Sequence, residues 1–184
     1  MQPVSTEARY RLRPARQAEA EIIDRMVRGA GLNPMGLDWQ RFTVAEAVPD
    51  PPAAGSPSQG EIIGCVQVKP HRRGLPRPWP AERARFNELA SLVVLPAWRG
   101  RGVARALVTD LQQQVGAPLW LYCRSRLVPF YHRFGFREPQ PAEMPRRFRL
   151  MQRATTLLAR LARREERMAI MLWEGQEGEG QGAR

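Results

Sequence analysis

Along the chain, hydrophobic spacing switches between a period of two and a period of 3.6, the mark of a mixed α/β domain. "YRLRPA" alternates and stops at Pro14, which predicts a strand, and "ARQAEAEIIDRMVRGAG" puts Ile22, Ile23, Met26 and Val27 on one helical stripe that ends at glycine. "LNPMGLDWQ" is dense in turn residues with room for a short helix, while "RFTVAEAV" and "EIIGCVQVK" read as strands. Between those two, residues 49–60, "PDPPAAGSPSQG", have nothing to bury and read as a mobile hairpin loop. A basic loop, "PHRRGLPRPWPAERAR", then leads into the long strand "FNELASLVVL".

That strand opens the stretch "LVVLPAWRGRGVARALV", residues 92–108, where aliphatic residues give way to a proline and to two glycines set between arginines. The helix "GVARALVTDLQQQVG" follows, closed by Gly116, and then the short buried strand "PLWLYC". "LVPFYHRFGF" predicts a short helix ended at Gly135, with "FRE" as a further strand, and this strand, helix, strand order implies a parallel crossover. "PRRFRLMQRATTLLARLARREER" places Phe148, Met151, Thr155, Leu158 and Leu161 at helical spacing, with arginines over much of the remainder. The bland reading of those arginines is a solvated face; the other is a surface for an anionic partner. "MAIMLWE" is the last strand, and residues 175–184 read as a disordered tail. The expected fold is one α/β domain over residues 1–174, a mixed, strongly twisted, six- to seven-stranded sheet flanked by helices.

Composition narrows the partners. The 184 residues carry 29 Lys and Arg against 18 Asp and Glu, a formal charge of +11, and most of the basic residues are arginine, suited to bidentate contact with phosphate or carboxylate. Zinc-finger spacing, an aromatic RNA-binding signature and a basic zipper are all missing, which argues against nucleic acid as the partner. The two cysteines, Cys65 and Cys123, are too few for a disulfide framework and are not spaced as metal ligands, so no metal is expected. The N-terminal stretch lacks the apolar core of a signal peptide, and no apolar run approaches membrane-spanning length. A cytoplasmic protein without a membrane partner is expected.

The turn at 99–105 carries the most specific chemistry. A turn opening a helix presents free N–H groups and the positive end of the helix dipole. Gly100 and Gly102 let an anion approach the backbone, and Arg99, Arg101 and Arg105 add charge around the same point. Together they make a seat for pyrophosphate. Glycine in such a turn can also be purely steric, and the sequence is neither a Walker loop nor a dinucleotide fingerprint.

The order of parts resembles the GNAT superfamily of acyl-CoA-dependent N-acyltransferases across nearly the whole chain. Arg99, Gly102 and Ala104 match its signature of Arg or Gln, two residues, Gly, one residue, Gly or Ala, after a strand ending "VVLP". "FYHRFGF" resembles the second landmark, a Tyr ahead of a Gly-Phe pair, and "LNPMGLDW" and "ELASLVV" look like members found in cyanobacteria and plastids. Many relatives have Asn about seven residues before that Tyr, where this chain has Arg124, so any contact made by that Asn is not carried over.

The resemblance implies acetyl-CoA as co-substrate and direct transfer to an amine in a ternary complex. It implies that the backbone of Leu92, Val93 and Val94 binds the pantetheine arm and polarises the acetyl carbonyl, while Arg99, Gly100, Arg101, Gly102, Val103, Ala104 and Arg105 hold the pyrophosphate. Transfer also needs a base for the amine and an acid for the departing thiolate. Tyr131, at the family's Tyr position, is the candidate acid, against the plain reading of a buried aromatic. Glu88, on the strand leading to the turn, is the candidate base, against the reading of an edge residue, and Tyr122 is an alternative lining the site.

His71 and His132 read as surface residues, and Cys65 and Cys123 as buried apolar ones. The acceptor is left open among a protein N-terminus, a lysine and a small amine. "LNPMGLDW" and "HRRGLPRPWP" are expected to border its groove, the positive charge of the second favouring a carboxylate-bearing acceptor. The competing class is a non-catalytic module that binds acyl-CoA or nucleic acid; turnover separates the two.

Overall fold

A computed structural model describes residues 10–48, 60–71, 86–161 and 167–175. Six strands, β1 (Tyr10–Pro14), β2 (Phe42–Ala47), β3 (Ile62–His71), β4 (Phe86–Val94), β5 (Leu119–Arg124) and β6 (Met168–Trp173), form one open sheet in that order. The helices are α1 (Ala20–Gly29), α2 (Val103–Val115), α3 (Val128–His132) and α4 (Arg146–Leu161). The β1–β2, β2–β3 and β5–β6 pairs are antiparallel, whereas β4 and β5, joined through α2, are parallel. A helical crossover is what returns a chain to the same direction. The expected loop at 49–59, the basic loop at 72–85, the tail beyond Gly175 and the side chains of Leu158 and Leu161 lie outside the described residues.

The strand expected at "FRE" is reduced to one bridge, Arg137 exchanging both backbone bonds with Leu172 at 2.8 Å. Pro139, two residues on, has no N–H to extend a ladder. The Arg137 side chain is also drawn to Glu143 and Glu174, each 2.7 Å away. β3 differs in the other direction and runs through Pro70 to His71, past the expected end at Lys69. Among the described residues the β2–β3 ladder stops at Phe42 opposite Gln67, so the missing N–H of Pro70 costs no bond to β2.

The backbone divides into two compact units, one comprising the chain to Val68 with Ser91–Leu111, the other Lys69–Ala90 with the chain from Gln112. In the second, β5 is covered on both faces. Leu119, Leu121 and Cys123 are buried, and the intervening Trp120 packs with Met144, Phe148, Ile170 and Leu172. Tyr122 and Met151 lie half-buried at the margin of that cluster. Alternation along a strand sends these two sets to opposite faces.

In the first unit, Ile23 and Val27, four residues apart on α1, are buried against Ala15, Phe42, Val44, Ile62, Cys65 and Val93. Met26 is partly buried beside them, and Ile22 turns outward at 39% exposure, so the stripe is one residue narrower than its sequence suggests. Each fully buried aliphatic side chain contributes about 1.5–3 kcal/mol. Gly64 permits a close approach in this unit. A Cβ there would lie 3.0 Å from the Val93 carbonyl oxygen and 3.1 and 3.2 Å from the side chains of Val103 and Leu107.

A buried ion cluster ties β1 to β2 and to the start of α1. Glu46, 1% exposed, accepts from Arg11 Nε at 2.7 Å and from Arg13 Nε at 2.9 Å, and the Gly60 N–H donates to its other oxygen at 2.9 Å. Arg13 also forks onto Glu19 at 2.6 and 3.0 Å, and Glu19 caps its turn by accepting from the Arg16 N–H at 2.8 Å. The Arg13 bonds, opposed by burial and helped by Arg11, hold the Glu46 carboxyl down at about 2 from an ordinary 4.5. Burial pushes the Glu19 carboxyl up, but the Arg13 and Arg16 bonds outweigh it and leave the group low.

Because these carboxyls titrate lower in the folded chain, their stabilisation is complete above the ordinary carboxylate range and is lost as pH falls through the folded value, about 2 for Glu46. Thermal unfolding followed from neutral pH downward is expected to show the midpoint falling between about pH 4.5 and pH 2. Glu46→Ala, which removes the acceptor of Arg13 Nε and of the Gly60 N–H while Arg13 keeps Glu19, is expected to cost about 1.5–3 kcal/mol at neutral pH and to flatten that profile. An unchanged midpoint in the variant would remove the cluster from the account of stability.

Candidate functional site

The first unit holds the turn read from the sequence as a candidate anion seat. β4 ends at Val94, and the Leu95 N–H donates to the Ile63 carbonyl at 2.8 Å. A 3₁₀ turn, Pro96–Trp98, follows with proline at its first position, and α2 begins at Val103. Gly100 and Gly102 have φ of +74° and +81°. Only glycine adopts these values without strain. A Cβ on Gly100 would meet open space, so that glycine is there for its backbone angle; one on Gly102 would come within 3.5 Å of the Tyr10 hydroxyl. Intrahelical bonding starts with the Ala106 N–H to the Gly102 carbonyl at 2.9 Å, and the N–H groups before it have no acceptor within the helix.

No acidic residue sits in the first turn of α2 to occupy that positive end. Arg99, Arg101 and Arg105 are exposed around it. Arg99 Nε donates to the Val94 carbonyl at 3.3 Å, and Arg101 lies over the Trp98 ring at 5.4 Å. Val103 is instead buried, part of the packing face of α2. Glycine backbone, the N-terminal amides of the helix and flanking guanidiniums have the chemistry to fit a diphosphate. These are the residues read from the sequence at 99–105 as a candidate phosphate seat.

Just before it, Ser91 has φ of +54° within β4. A residue with a Cβ pays about 1–2 kcal/mol for that region, and such strain re-aims the peptide groups of a strand. The residues that follow are Leu92, Val93 and Val94. The sequence carries no clear signal for this feature beyond the small pair Ala90 and Ser91 interrupting an aliphatic run.

The second unit holds the titratable side chains. Tyr131, on the single-turn α3, is 6% exposed, packed edge-on against Phe130 and Phe136 with ring centres 5.0 and 5.9 Å away. Burial raises its hydroxyl well above the ordinary tyrosine range, and the Cys123 thiol adds to the effect. The group therefore stays protonated at any physiological pH, and among the described residues its hydroxyl forms no hydrogen bond. Cys123, on the face of β5 that carries Leu119 and Leu121, is itself pushed up to about 12 by burial and by Glu138; Cys65 is pushed to the same value by burial. Neither thiol is a nucleophile in this state.

On the opposite face, Glu88 of β4 stands in register with Trp120 of β5. Its carboxylate meets His71 Nε2, and both side chains are largely buried, 16% and 10% exposed. The imidazole stacks on Phe86 with ring centres 4.9 Å apart and meets the edge of Phe148 at 6.0 Å. His71 is therefore not a surface residue of a basic loop. It lies at the end of β3, which the proline before it masks in the sequence. His132 is exposed, as expected. Tyr122 donates to Thr155 Oγ1 at 3.0 Å, and Thr155 donates to the Met151 carbonyl at 2.9 Å, so Tyr122 anchors α4 to β5. Burial raises its hydroxyl, opposed by the Thr155 bond.

Among the described residues no group of three or more His, Cys, Asp or Glu is placed to hold a metal ion, and no helix is long and apolar enough to cross a membrane. Comparison with proteins of curated function returns no match by sequence. Among solved structures, N-acetylglutamate synthase of Neisseria gonorrhoeae, complexed with coenzyme A and L-arginine, superimposes with a TM-score of 0.60 at 16% identity over 92% of this chain. This chain spans only 34% of the length of that enzyme. Rv2747 of Mycobacterium tuberculosis, in complex with CoA, gives 0.56 at 20% identity over 89% of this chain and 98% of its own. NAA60 of Arabidopsis thaliana, with a bisubstrate analogue, gives 0.54 at 14% identity over 90% and 99%. At such identities these likenesses bear on the fold alone. Residues 38–138, more than half of the chain, match the acetyltransferase (GNAT) domain, and the chain belongs to that family.

Proposed function

We propose that this protein moves an acetyl group from acetyl-CoA to a primary amine by direct transfer in a ternary complex. The observation that carries the reading is the pair of left-handed glycines opening α2, with three arginines around them and no acid in the first turn. The same co-substrate class is named in the solved structures, which contain coenzyme A or a bisubstrate analogue. "LNPMGLDW" and "ELASLVV" support a place among the members found in cyanobacteria and plastids, and the two free cysteines suit a reducing cytoplasm.

Acetyl-CoA supplies the thioester. The backbone of Leu92, Val93 and Val94 binds the pantetheine arm and polarises the carbonyl, as in the family the chain resembles. Residues 99–105 hold the pyrophosphate: Gly100, Gly102, Val103 and Ala104 through backbone amides, Arg99, Arg101 and Arg105 through their guanidiniums. Tyr131 protonates the leaving sulfur; its raised hydroxyl keeps a proton to give across the working pH range. Glu88 belongs to the base side, where the amine must lose its proton before attack. The acceptor class spans protein N-termini, lysines and small amines. One solved neighbour is a synthase of N-acetylglutamate, a small molecule.

Gly102→Glu adds a Cβ at a left-handed position and a negative charge at the phosphate seat. It is expected to abolish CoA binding by calorimetry with an unchanged circular dichroism spectrum; full affinity in the variant would overturn the assignment. Thiol release from acetyl-CoA, measured with a mixed pool of small amines and N-terminal and lysyl peptides, tests the activity. Tyr131→Phe is expected to lower kcat about 10²–10⁴-fold while CoA affinity is kept. CoA binding without any turnover in the unsubstituted protein would instead make it a non-catalytic CoA-binding module.

A further inference from the structure

We propose that Gln67 is a specificity-determining residue for the acceptor: its side-chain oxygen takes the hydrogen bond of a neutral amide N–H, flanked by an apolar group, on the molecule to be acetylated. The inference rests on the acetyltransferase reading above and narrows its acceptor to peptide-like amines. Gln67 lies on β3 opposite Phe42 of β2 and is 0% exposed. Its Nε2–H donates to the Gly36 carbonyl at 3.2 Å. That carbonyl can only accept, so it fixes which end of the amide faces it and turns Oε1 the other way. Oε1 is buried without a hydrogen-bond partner among the described residues. An acceptor buried and left unpaired is destabilising, and an apolar side chain of similar shape would avoid the cost. Packing alone does not account for a glutamine here.

The surroundings of the amide set the chemistry of its ligand. Gln67 shares a face of β3 with Cys65, and across the ladder Phe42 and Val44 stand opposite these two. Phe42, Val44 and Cys65 belong to an apolar cluster against which Leu32 and Leu37 pack. An ammonium entering there would give up its hydration for a single neutral dipole, and a carboxylate would meet the lone pairs of an oxygen. A neutral N–H beside an apolar group fits both the oxygen and its walls. The first peptide N–H of a chain, next to the α-amine, has that character, whereas a free amino acid has no amide N–H to offer.

Position favours the same role. The Leu95 N–H donates to the Ile63 carbonyl, and the Cys65 thiol lies 3.9 Å from the Ser91 carbonyl oxygen, so β3 and β4 run past each other with Gln67 near the level of Ser91. Leu92, Val93 and Val94, to which the proposed function gives the thioester carbonyl, come directly after, and all these residues lie in the first unit. The cover over Gln67 is the turn at residues 31–38. Its ends are pinned: the Gly31 and Leu32 N–H groups donate to the Arg28 and Val27 carbonyls of α1, and Asp38 caps the 3₁₀ turn Trp39–Arg41 by accepting from the Gln40 N–H. Between them Gly36 takes a φ of +72°, Leu32 and Leu37 are only partly buried, and Met35 is 75% exposed. A shift of this span breaks the Gly36–Gln67 bond and uncovers the amide for the acceptor.

The test exchanges one group of the acceptor. Thiol release from acetyl-CoA is measured in the full-length protein with peptides that begin with two apolar residues, and with depsipeptides in which an ester oxygen replaces their first amide N–H. In the unsubstituted protein the ester is expected to raise the acceptor KM about 10-fold or more, since it brings no donor to Oε1. Gln67→Met keeps the length of the side chain and removes the amide; it is expected to bring the two KM values within about twofold of each other, with KM for acetyl-CoA unchanged. Gln67→Asn, which draws the amide back by one methylene, is expected to do the same and serves if the first variant does not fold. Loss of the Gly36 bond alone would move both acceptors together and keep their ratio. A ratio that survives in the folded variants, equal KM for amide and ester in the unsubstituted protein, or turnover of free amino acids but not of peptides would overturn the inference and leave the acetyltransferase reading intact. An unsubstituted protein that binds CoA and releases no thiol with any acceptor would overturn both.

Discussion

The left-handed backbone at Gly100 and Gly102 sets the terms for everything around it. A β-strand and a helix can be joined in many ways, but few open the helix on two left-handed residues with no acid in its first turn. Here the joint does so because two residues without Cβ atoms take angles that would strain any other, and because α2 brings no carboxylate of its own to neutralise its positive end. Gly64 lets the Val93 carbonyl and the first turns of α2 pack close to β3, which fixes the direction in which the helix starts. The seat we propose there would draw its affinity for anions from the backbone, reinforced by exposed arginines.

A second constraint is the pleat of β5. It sends Cys123 toward the tyrosine of α3 and Trp120 toward the aromatic cluster that encloses His71 and Glu88. Burial acts differently on the two sides. It keeps the proton on Tyr131, where no described residue bonds the hydroxyl, whereas the buried carboxylate of Glu88 is compensated by a partner. Tyr122, on the same strand, has its hydroxyl engaged by Thr155.

Much of this was legible in the chain. The period of α1, the strand character of β6, the glycines of the turn and the short helix bearing Tyr131 all follow from local rules, since each depends on residues near in sequence. What escaped depends on partners far away. Nothing local shows that Arg13 and Glu46, 33 residues apart, pair in the interior. His71 looked exposed because a proline precedes it and arginines follow, yet the strand continues through Pro70 and delivers the ring to a carboxylate 17 residues on. "FRE" had strand composition but only one residue able to pair before Pro139. The left-handed Ser91 is set by tertiary fit, and propensity does not foretell it.

The most direct test of the central claim is a comparison of acetyl-CoA with acetyl-pantetheine, which keeps the thioester and its arm but lacks the pyrophosphate. Calorimetric titration of both ligands into the same protein separates what the turn contributes from what β4 contributes. The account predicts tight binding of acetyl-CoA, weakened by added salt, and a loss of at least about 100-fold, near 2.7 kcal/mol, for acetyl-pantetheine. Equal affinity for the two would show that the glycine turn holds no phosphate and would contradict it.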